Sequence, residues 1–336
     1  LSGRAARTVD LAHLIEMADS RIPKRMRAAV IDEFGGPEVF QLRELPVPDV
    51  DADEVLIGVH TAGVGSWDPD MRSGWVPSGK PHFPIILGSD GSGTVVAKGS
   101  RARRFKVGDR VYANTFDNPK GGSYADFVVV PADNVAPVPA KLDTKSAGAL
   151  AISGLTALQG LEALGLKRGQ RIIITGASGA VGTVAVQLAK ARGASVFALA
   201  SGKDGRSLVR RLGVDVAVDG KAANWDRDLD AFAPDGVDAV LVLAAGDFLA
   251  RCFESLHGDG RVVYPNGVDP IPKKRGLDIV SYNGEGGASA FTRLNRAVIA
   301  ARLKVPIAAA FRFGQVAQAH KKVAGHVLGK VVLRIG

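Results

Sequence analysis

The stretch TGASGAVGTVAVQLAKARG, Thr175 to Gly193, sets small residues at the point where a strand hands over to a helix. Ile172 to Thr175 read as a buried strand, Gly176 to Gly182 as a turn, and Thr183 onward as a helix. The start of a helix exposes backbone N–H groups that have no intrahelical partner, and its dipole favours negative charge. Ala177, Ser178, Gly179, Ala180, Val181 and Gly182 therefore make an A-S-G-A-V-G turn suited to a diphosphate. The small side chains let the anion approach the backbone, and Gly182 lets helix and strand pack closely. Ala177 stands where the usual fingerprint has its first glycine, with Gly176 just before it, so the turn alone is a modest signal. A tight turn with no ligand is the competing reading.

The next strand, SVFALA, bears on which dinucleotide such a turn would hold. NAD sites place an Asp or Glu about twenty residues past the glycines to accept from the adenosine ribose. Here that place holds Leu199, Ala200 and Ser201, followed by Lys203 and Arg206, while Asp204 lies too far along. A hydroxyl and two cations suit a 2′-phosphate through charge-assisted bonds, so NADP(H) is preferred over NAD. The alternative, that Lys203 and Arg206 are only a solvated face, stays open.

Metal chemistry has little to draw on. The single cysteine, Cys252, excludes an internal disulfide and a multi-cysteine zinc site. His13, His60, His82, His257, His320 and His326 show no paired ligand spacing. His320 and His326 fall in or beside a C-terminal helix, where solvation or packing is the expected role. No nucleophile–base pair is evident.

These groups need a scaffold, and 336 residues suffice for two domains. Residues 1–25 form an N-terminal extension in which TVDLAHLIEMAD has helical spacing, and no function is assigned to it. From Met26, short runs such as EVLIGVHTAGV, GSGTVVAKG, DRVYANT and YADFVVVP are punctuated by Gly, Pro, Asp and Asn, as in an irregular β-rich unit. After residue 146, helical segments alternate with IIIT, SVFALA, VAVD, AVLVLA and RVVYPN, which implies a parallel sheet wrapped by helices. From residue 284 the chain returns through two helices, AFTRLNRAVIAARL and one near Val316 to Ala324, to a last strand, KVVLRI. The division expected is 26–146, 147–283 and 284–336, the first and last together forming one domain.

Hydrophobic residues at 46% and charged residues at 23% are the balance of a soluble folded chain. No apolar run is long enough to span a bilayer and no signal peptide is seen, so no membrane partner is expected and the localisation is read as cytoplasmic. The formal charge of +9 favours anionic partners. The basic residues are scattered, however, with no nucleic-acid-binding signature, so nucleic acid is not expected.

The pieces AAVIDEFGGPEVFQLRELPVP, HTAGVGSWDPDMRSG, FPIILGSDGSGTVVAKG, FKVGDRVYA, GGSYADFVVV, the A-x-G-x-x-G turn and GKVVLRI occur in this order. Together they resemble the medium-chain dehydrogenase/reductase superfamily, and more narrowly its zinc-independent quinone oxidoreductase (zeta-crystallin-like) branch. The resemblance covers nearly everything after Met26. It implies an α/β protein with a Rossmann-type doubly wound parallel sheet domain plus a β-rich GroES-like catalytic domain. Where zinc enzymes of the superfamily carry Gly-His-Glu, this chain has Gly88, Ser89 and Asp90, so no metal is expected.

By family position, Ser66 and Asp68 face the nicotinamide end of the cleft. Gly65 replaces the Asn that many relatives have, and Ser66 offers a hydroxyl instead. Asp68 suits proton chemistry, or a cap or turn. Tyr124 is a candidate donor, with core packing as its rival. Thr156 resembles the family threonine beside the nicotinamide, and Asn266 and Gly267 match the loop that meets its carboxamide and ribose. Lys330 aligns with the terminal motif or is a surface charge. Trp67, Trp75, Val76 and the loop from Asn114 to Gly122 are expected to shape the acceptor pocket.

The function expected is NADPH-dependent hydride transfer, without zinc, to quinones or other α,β-unsaturated carbonyl compounds. Such acceptors are electron-poor enough to dispense with a Lewis acid. The alternatives are an enoyl thioester (polyketide-like) reductase and a non-catalytic NADPH-binding protein. The resemblance also implies a homodimer formed through the strand within LDIVSYN.

Overall fold

The computed structural model describes residues 22–77 and 79–336. The helical spacing of residues 8–19 lies outside the described residues.

Short extended runs rich in Val, Ile and Ala build the first part of the chain. In order they are β1 (Arg25–Ile31), β2 (Gln41–Pro46), β3 (Glu54–Val64), the short helix α1 (Asp68–Ser73), β4 (Ile85–Ile86), β5 (Asp90–Lys98), β6 (Arg110–Asn114), β7 (Phe127–Pro131) and β8 (Val135–Pro137). Helices α2 (Thr144–Ala147) and α3 (Ala151–Ala163) lead into an alternation of strand and helix: β9 (Arg171–Ile174), α4 (Ala180–Ala191), β10 (Ser195–Leu199), α5 (Gly202–Arg211), β11 (Val216–Val218), α6 (Trp225–Phe232), β12 (Val237–Leu241), α7 (Phe248–Glu254), β13 (Leu256–Pro265) and β14 (Asp278–Tyr282). The return comprises α8 (Ala288–Ala301), β15 (Ile307–Arg312), α9 (Val316–Val323) and β16 (Lys330–Arg334).

The alternating part forms a six-stranded sheet in the order β11-β10-β9-β12-β13-β14, with every neighbouring pair parallel. This is the doubly wound Rossmann arrangement, and its order reverses between β9 and β12. Side chains on a strand alternate between faces. Accordingly Ile172 and Ile174 of β9 join the apolar cluster under α3, α4 and α8, whereas Ile173 joins the cluster on the other face. Val196 and Ala198 of β10 likewise part from Phe197 and Leu199. Burial on both faces is why these strands read as unbroken apolar runs.

The β-rich part is a largely antiparallel sheet, β15-β16-β3-β5-β6-β8, with β7 also pairing with β3, beside a small sheet β2-β1-β4. The last strand of the chain, β16, lies against β3 with Val332 opposite Gly63. The return thus completes the sheet that the first part begins. Helix α8 joins the two parts: Phe291, Leu294 and Val298 enter the cluster of the parallel sheet, while Asn295 Oδ1 accepts from Tyr112 Oη of β6 at 2.7 Å. Among the described residues no helix is long and apolar enough to cross a membrane.

Candidate active site

The A-S-G-A-V-G turn follows β9 at the carboxyl end of the parallel sheet, and α4 begins at Ala180 with no side chain capping its first turn. The N–H groups at that start have no intrahelical partner, and the helix dipole lies behind them. Two glycines are required by contact. Gly176 has φ of +60°, and a Cβ there would lie 3.0 Å from the Ala244 methyl. A Cβ on Gly182 would collide with the carbonyl oxygen of Gly176. Ala177 is tolerated in place of the usual glycine because it belongs to the core cluster, its N–H donating to Leu199 O at 3.0 Å. The uncapped helix start and the closeness that Gly182 permits fit a dinucleotide diphosphate.

The adenosine end of such a ligand would meet the start of α5. Ser201 is its N-cap position and makes no side-chain cap bond. Ser201 and Lys203 are exposed and Arg206 is half-buried, and all three lie at the cap or in the opening turns of α5. A fourth residue, absent from the expected set, stands with them. Because Leu199 pairs with Val218, the end of β11 brings Asp219 to the start of α5, and its Oδ2 accepts from Gly202 N at 2.7 Å. N–H bonds from Lys221 and Gly202, aided by the charges of Arg206 and Lys221, hold the Asp219 carboxyl below the usual carboxylate range.

Gly267 has φ of +94° with open space where a Cβ would stand, and Asn266 donates its backbone N–H to Tyr282 O at 2.9 Å. Thr156 is buried on α3. Its carbonyl accepts from Tyr282 Oη at 2.8 Å, and Gly284 packs so closely that a Cβ there would strike its hydroxyl. Asn266, Gly267 and Thr156 thus converge around β14, at the carboxyl end of the sheet.

On the facing side, α1 and the loop before β5 form a buried polar cluster. Asp68 has no exposed surface. Its Oδ2 accepts from Tyr124 Oη at 2.6 Å and Gly65 N at 3.0 Å, and its Oδ1 from Ser89 Oγ at 2.9 Å. Ser89 in turn accepts from Trp67 Nε1 at 2.8 Å. Burial raises the Asp68 carboxyl above its ordinary value, opposed by the Tyr124, Gly65 and Ser89 bonds and the charge of Lys330. Burial and the charge of Asp68 push the Tyr124 phenol well upward, so it remains a donor. Tyr124 is fully buried and Ser66 is exposed.

Asp90 and Lys330 form a second buried unit. Lys330 Nζ lies 2.6 Å from Asp90 Oδ2, and Asp90 Oδ1 accepts from Ile152 N at 2.6 Å, at the start of α3. Gly63 makes room for the pair, since a Cβ there would lie 2.9 Å from Asp90 Cβ and 3.0 Å from Lys330 Cε. Lys330 is 3% exposed, so it is neither a surface charge nor free to reach the turn; its neighbour does that instead. Gly329 N donates to Ser178 O at 2.9 Å, and Gly179 and Gly329 form a parallel bridge. The A-S-G-A-V-G turn is thereby held one residue from Lys330, whose ammonium lies over the Trp67 ring.

The residues missed in the sequence divide by signal. Asp90 was visible as a departure, and its pairing with Lys330 required the β3–β16 register. Ser89 and Phe116 lay within motifs already noted. Arg72 carried no signal at all, while His320, expected in solvation or packing, takes the packing role. Arg72 donates to Gly35 O at 2.9 Å and lies 3.4 Å from Nδ1 of the fully buried His320, whose ring packs on Phe40 and Tyr124.

Two family models match the chain: "Alcohol dehydrogenase GroES-like domain" over residues 51–140 and "Zinc-binding dehydrogenase" over residues 180–272. The quinone oxidoreductase of Mus musculus is 34% identical over 253 residues, 74% of this chain and 75% of that protein. The chain belongs to the medium-chain dehydrogenase/reductase superfamily, in its quinone oxidoreductase branch. Members of this superfamily are oxidoreductases, and so is this protein. The chloroplastic NADPH-dependent alkenal/one oxidoreductase of Arabidopsis thaliana is 32% identical, over 94% of this chain and 81% of that one. The solved quinone oxidoreductase of Coxiella burnetii superposes with a TM-score of 0.81 at 29% identity, covering 93% of this chain and all of the other.

The second model's description implies zinc, and this superfamily member's residues do not fit one. Ser89 is engaged with Asp68 and Trp67, and both Asp90 oxygens are taken. Among the described residues no group of three or more His, Cys, Asp or Glu side chains is placed to hold a metal.

Proposed function

We propose that this protein is an NADP(H)-dependent, zinc-independent reductase of quinones and related α,β-unsaturated carbonyl compounds. The observation that carries the reading is the bridge between Gly179 and Gly329, which sets a turn fitted to a diphosphate one residue from Lys330, whose ammonium lies 5.1 Å from the Trp67 ring centroid. When bound, the nicotinamide supplies a hydride to a conjugated carbon of the acceptor. The chain's own part is positioning and exclusion of water.

Ala177 to Gly182 form the turn that holds the diphosphate, and the N–H groups at the start of α4, which have no intrahelical partner, are its donors. Ser201, Lys203 and Arg206 receive the 2′-phosphate, and Thr156, Asn266 and Gly267 border the nicotinamide. Lys330 supports this end through Asp90 and the start of α3. Ser66 presents its exposed hydroxyl to the acceptor. Asp68 and Tyr124, buried and bonded to each other, keep α1 in place. We assign residues 26–146 and 284–336 to the catalytic domain and 147–283 to the nucleotide domain, with the cleft between them. The free edge of β14 is the proposed dimer contact.

The enoyl thioester alternative shares fold and cofactor, and only assay separates the two. NADPH oxidation is followed with 1,4-naphthoquinone, with but-3-en-2-one and with an enoyl thioester, alongside calorimetry of NADPH and NADH. Turnover of the first two and tighter NADPH binding support the reading. Turnover of the thioester alone, or NADH bound as tightly, overturns it.

A further inference from the structure

The indole of Trp67 is held from several sides. Gly65 leaves it room, since a Cβ on Gly65 would lie 2.5 Å from Trp67 Cε2 and 2.6 Å from Cζ2. The indole N–H is the side chain's one donor, and it is directed at Ser89 Oγ. Ser89 donates to Asp68, whose other oxygen takes the Tyr124 hydroxyl and the Gly65 amide. Every donor in this set is turned inward, toward a buried carboxylate, so none is offered to an acceptor by Trp67. What the half-buried indole leaves uncovered is apolar.

It is also the innermost member of an aromatic strip. Phe116 stands 6.4 Å away, edge to face, and Trp75, 49% exposed, lies 6.0 Å beyond Phe116. On its inner side the Lys330 ammonium is 5.1 Å from the ring centroid, one residue from the glycine that bridges to the nucleotide turn. The strip therefore runs from beside the turn out to the surface.

We propose that Trp67 is the specificity-determining residue of the acceptor site, discriminating by aromatic contact area and not by hydrogen bonding. Ser89, Asp68 and Tyr124 are positioning residues that act through it. The proposal rests on the reductase reading above and deepens it. A flat, fused-ring acceptor gains affinity in proportion to the ring surface it buries, and a short aliphatic enone gains little.

The test combines kinetics with fluorescence. Trp67→Ala raises KM for 1,4-naphthoquinone about tenfold, the loss of an aromatic contact and its buried area, with kcat little changed. The kinetics with but-3-en-2-one stay close to wild type. Ser89→Ala shifts the naphthoquinone KM in the same direction by less. Trp67→Phe, which keeps a ring without the N–H, gives an intermediate KM and serves if the alanine variant does not fold. Equal losses on both acceptors, or on neither, overturn the proposal.

Because the chain has three tryptophans, the double variant Trp75→Phe/Trp225→Phe leaves Trp67 as the sole indole emitter. Its emission is expected to be quenched to saturation by 1,4-naphthoquinone, and unquenched emission across the titration overturns the proposal. If the wild type oxidises NADPH with neither acceptor, the reductase reading fails on its own, and the quenching still decides whether a flat ring meets Trp67.

Discussion

At the start of α5, Ser201, Lys203 and Arg206 share their corner with Asp219, whose carboxylate accepts from the Gly202 amide. That charge is present at neutral pH and opposes a 2′-phosphate at the same place. Asp219→Asn keeps an acceptor for Gly202 and removes the charge, so NADPH should bind about fivefold tighter while NADH changes less, as read by calorimetry. His320 yields a prediction of a different kind. Burial, and then the Arg72 guanidinium, push its ring down to about 3. The folded value lies below the unfolded one, so the neutral ring is the folded form, and its contribution is complete above the unfolded value and lost as pH falls. Between about pH 6 and pH 4 this one residue should lower stability by about 1.4 kcal/mol per pH unit. Denaturant melts of the wild type and His320→Phe across that range should differ in slope by this amount.

At the scale of elements, the Asp90–Lys330 pair joins β5, β16 and the start of α3 inside the protein. Removing one partner of a buried pair leaves the other charge uncompensated. Lys330→Met should therefore cost about 3 to 5 kcal/mol in a denaturant melt, and adding Asp90→Asn should recover most of it. An unchanged melt for the single variant would show that the pair is not buried as described. The strand boundaries near this pair were legible beforehand. EVLIGVHTAGV is β3 to the residue, and KVVLRI contains all of β16. Their pairing was not legible, because the two strands lie some 270 residues apart and antiparallel register depends on which faces must be buried together.

For the whole molecule, β14 is one edge of the parallel sheet, with no partner strand on its outer side among the described residues, and Val280 on it is 43% exposed. Edge strands left open invite pairing with another copy, and a lysine placed on the edge discourages it. Val280→Lys should convert the proposed dimer to monomer in light scattering behind size exclusion. A wild-type monomer, or a variant that stays dimeric, would remove β14 as the contact.

The sequence by itself determined the β-rich and alternating regions and the place of the A-S-G-A-V-G turn, because period, punctuation and small-residue turns are local properties of the chain, while its ordered motifs carried the resemblance to the family. Ala177 in place of a glycine could be noted there, but its harmlessness depended on where its methyl packs. Only the tertiary structure decided that Lys330 is buried with Asp90, that Asp219 joins the start of α5, and that Trp67 lies over Gly65 with its N–H spent on Ser89. Each of these contacts joins side chains whose polar or steric demands are met by partners on another element or loop, and such demands leave no period in a sequence.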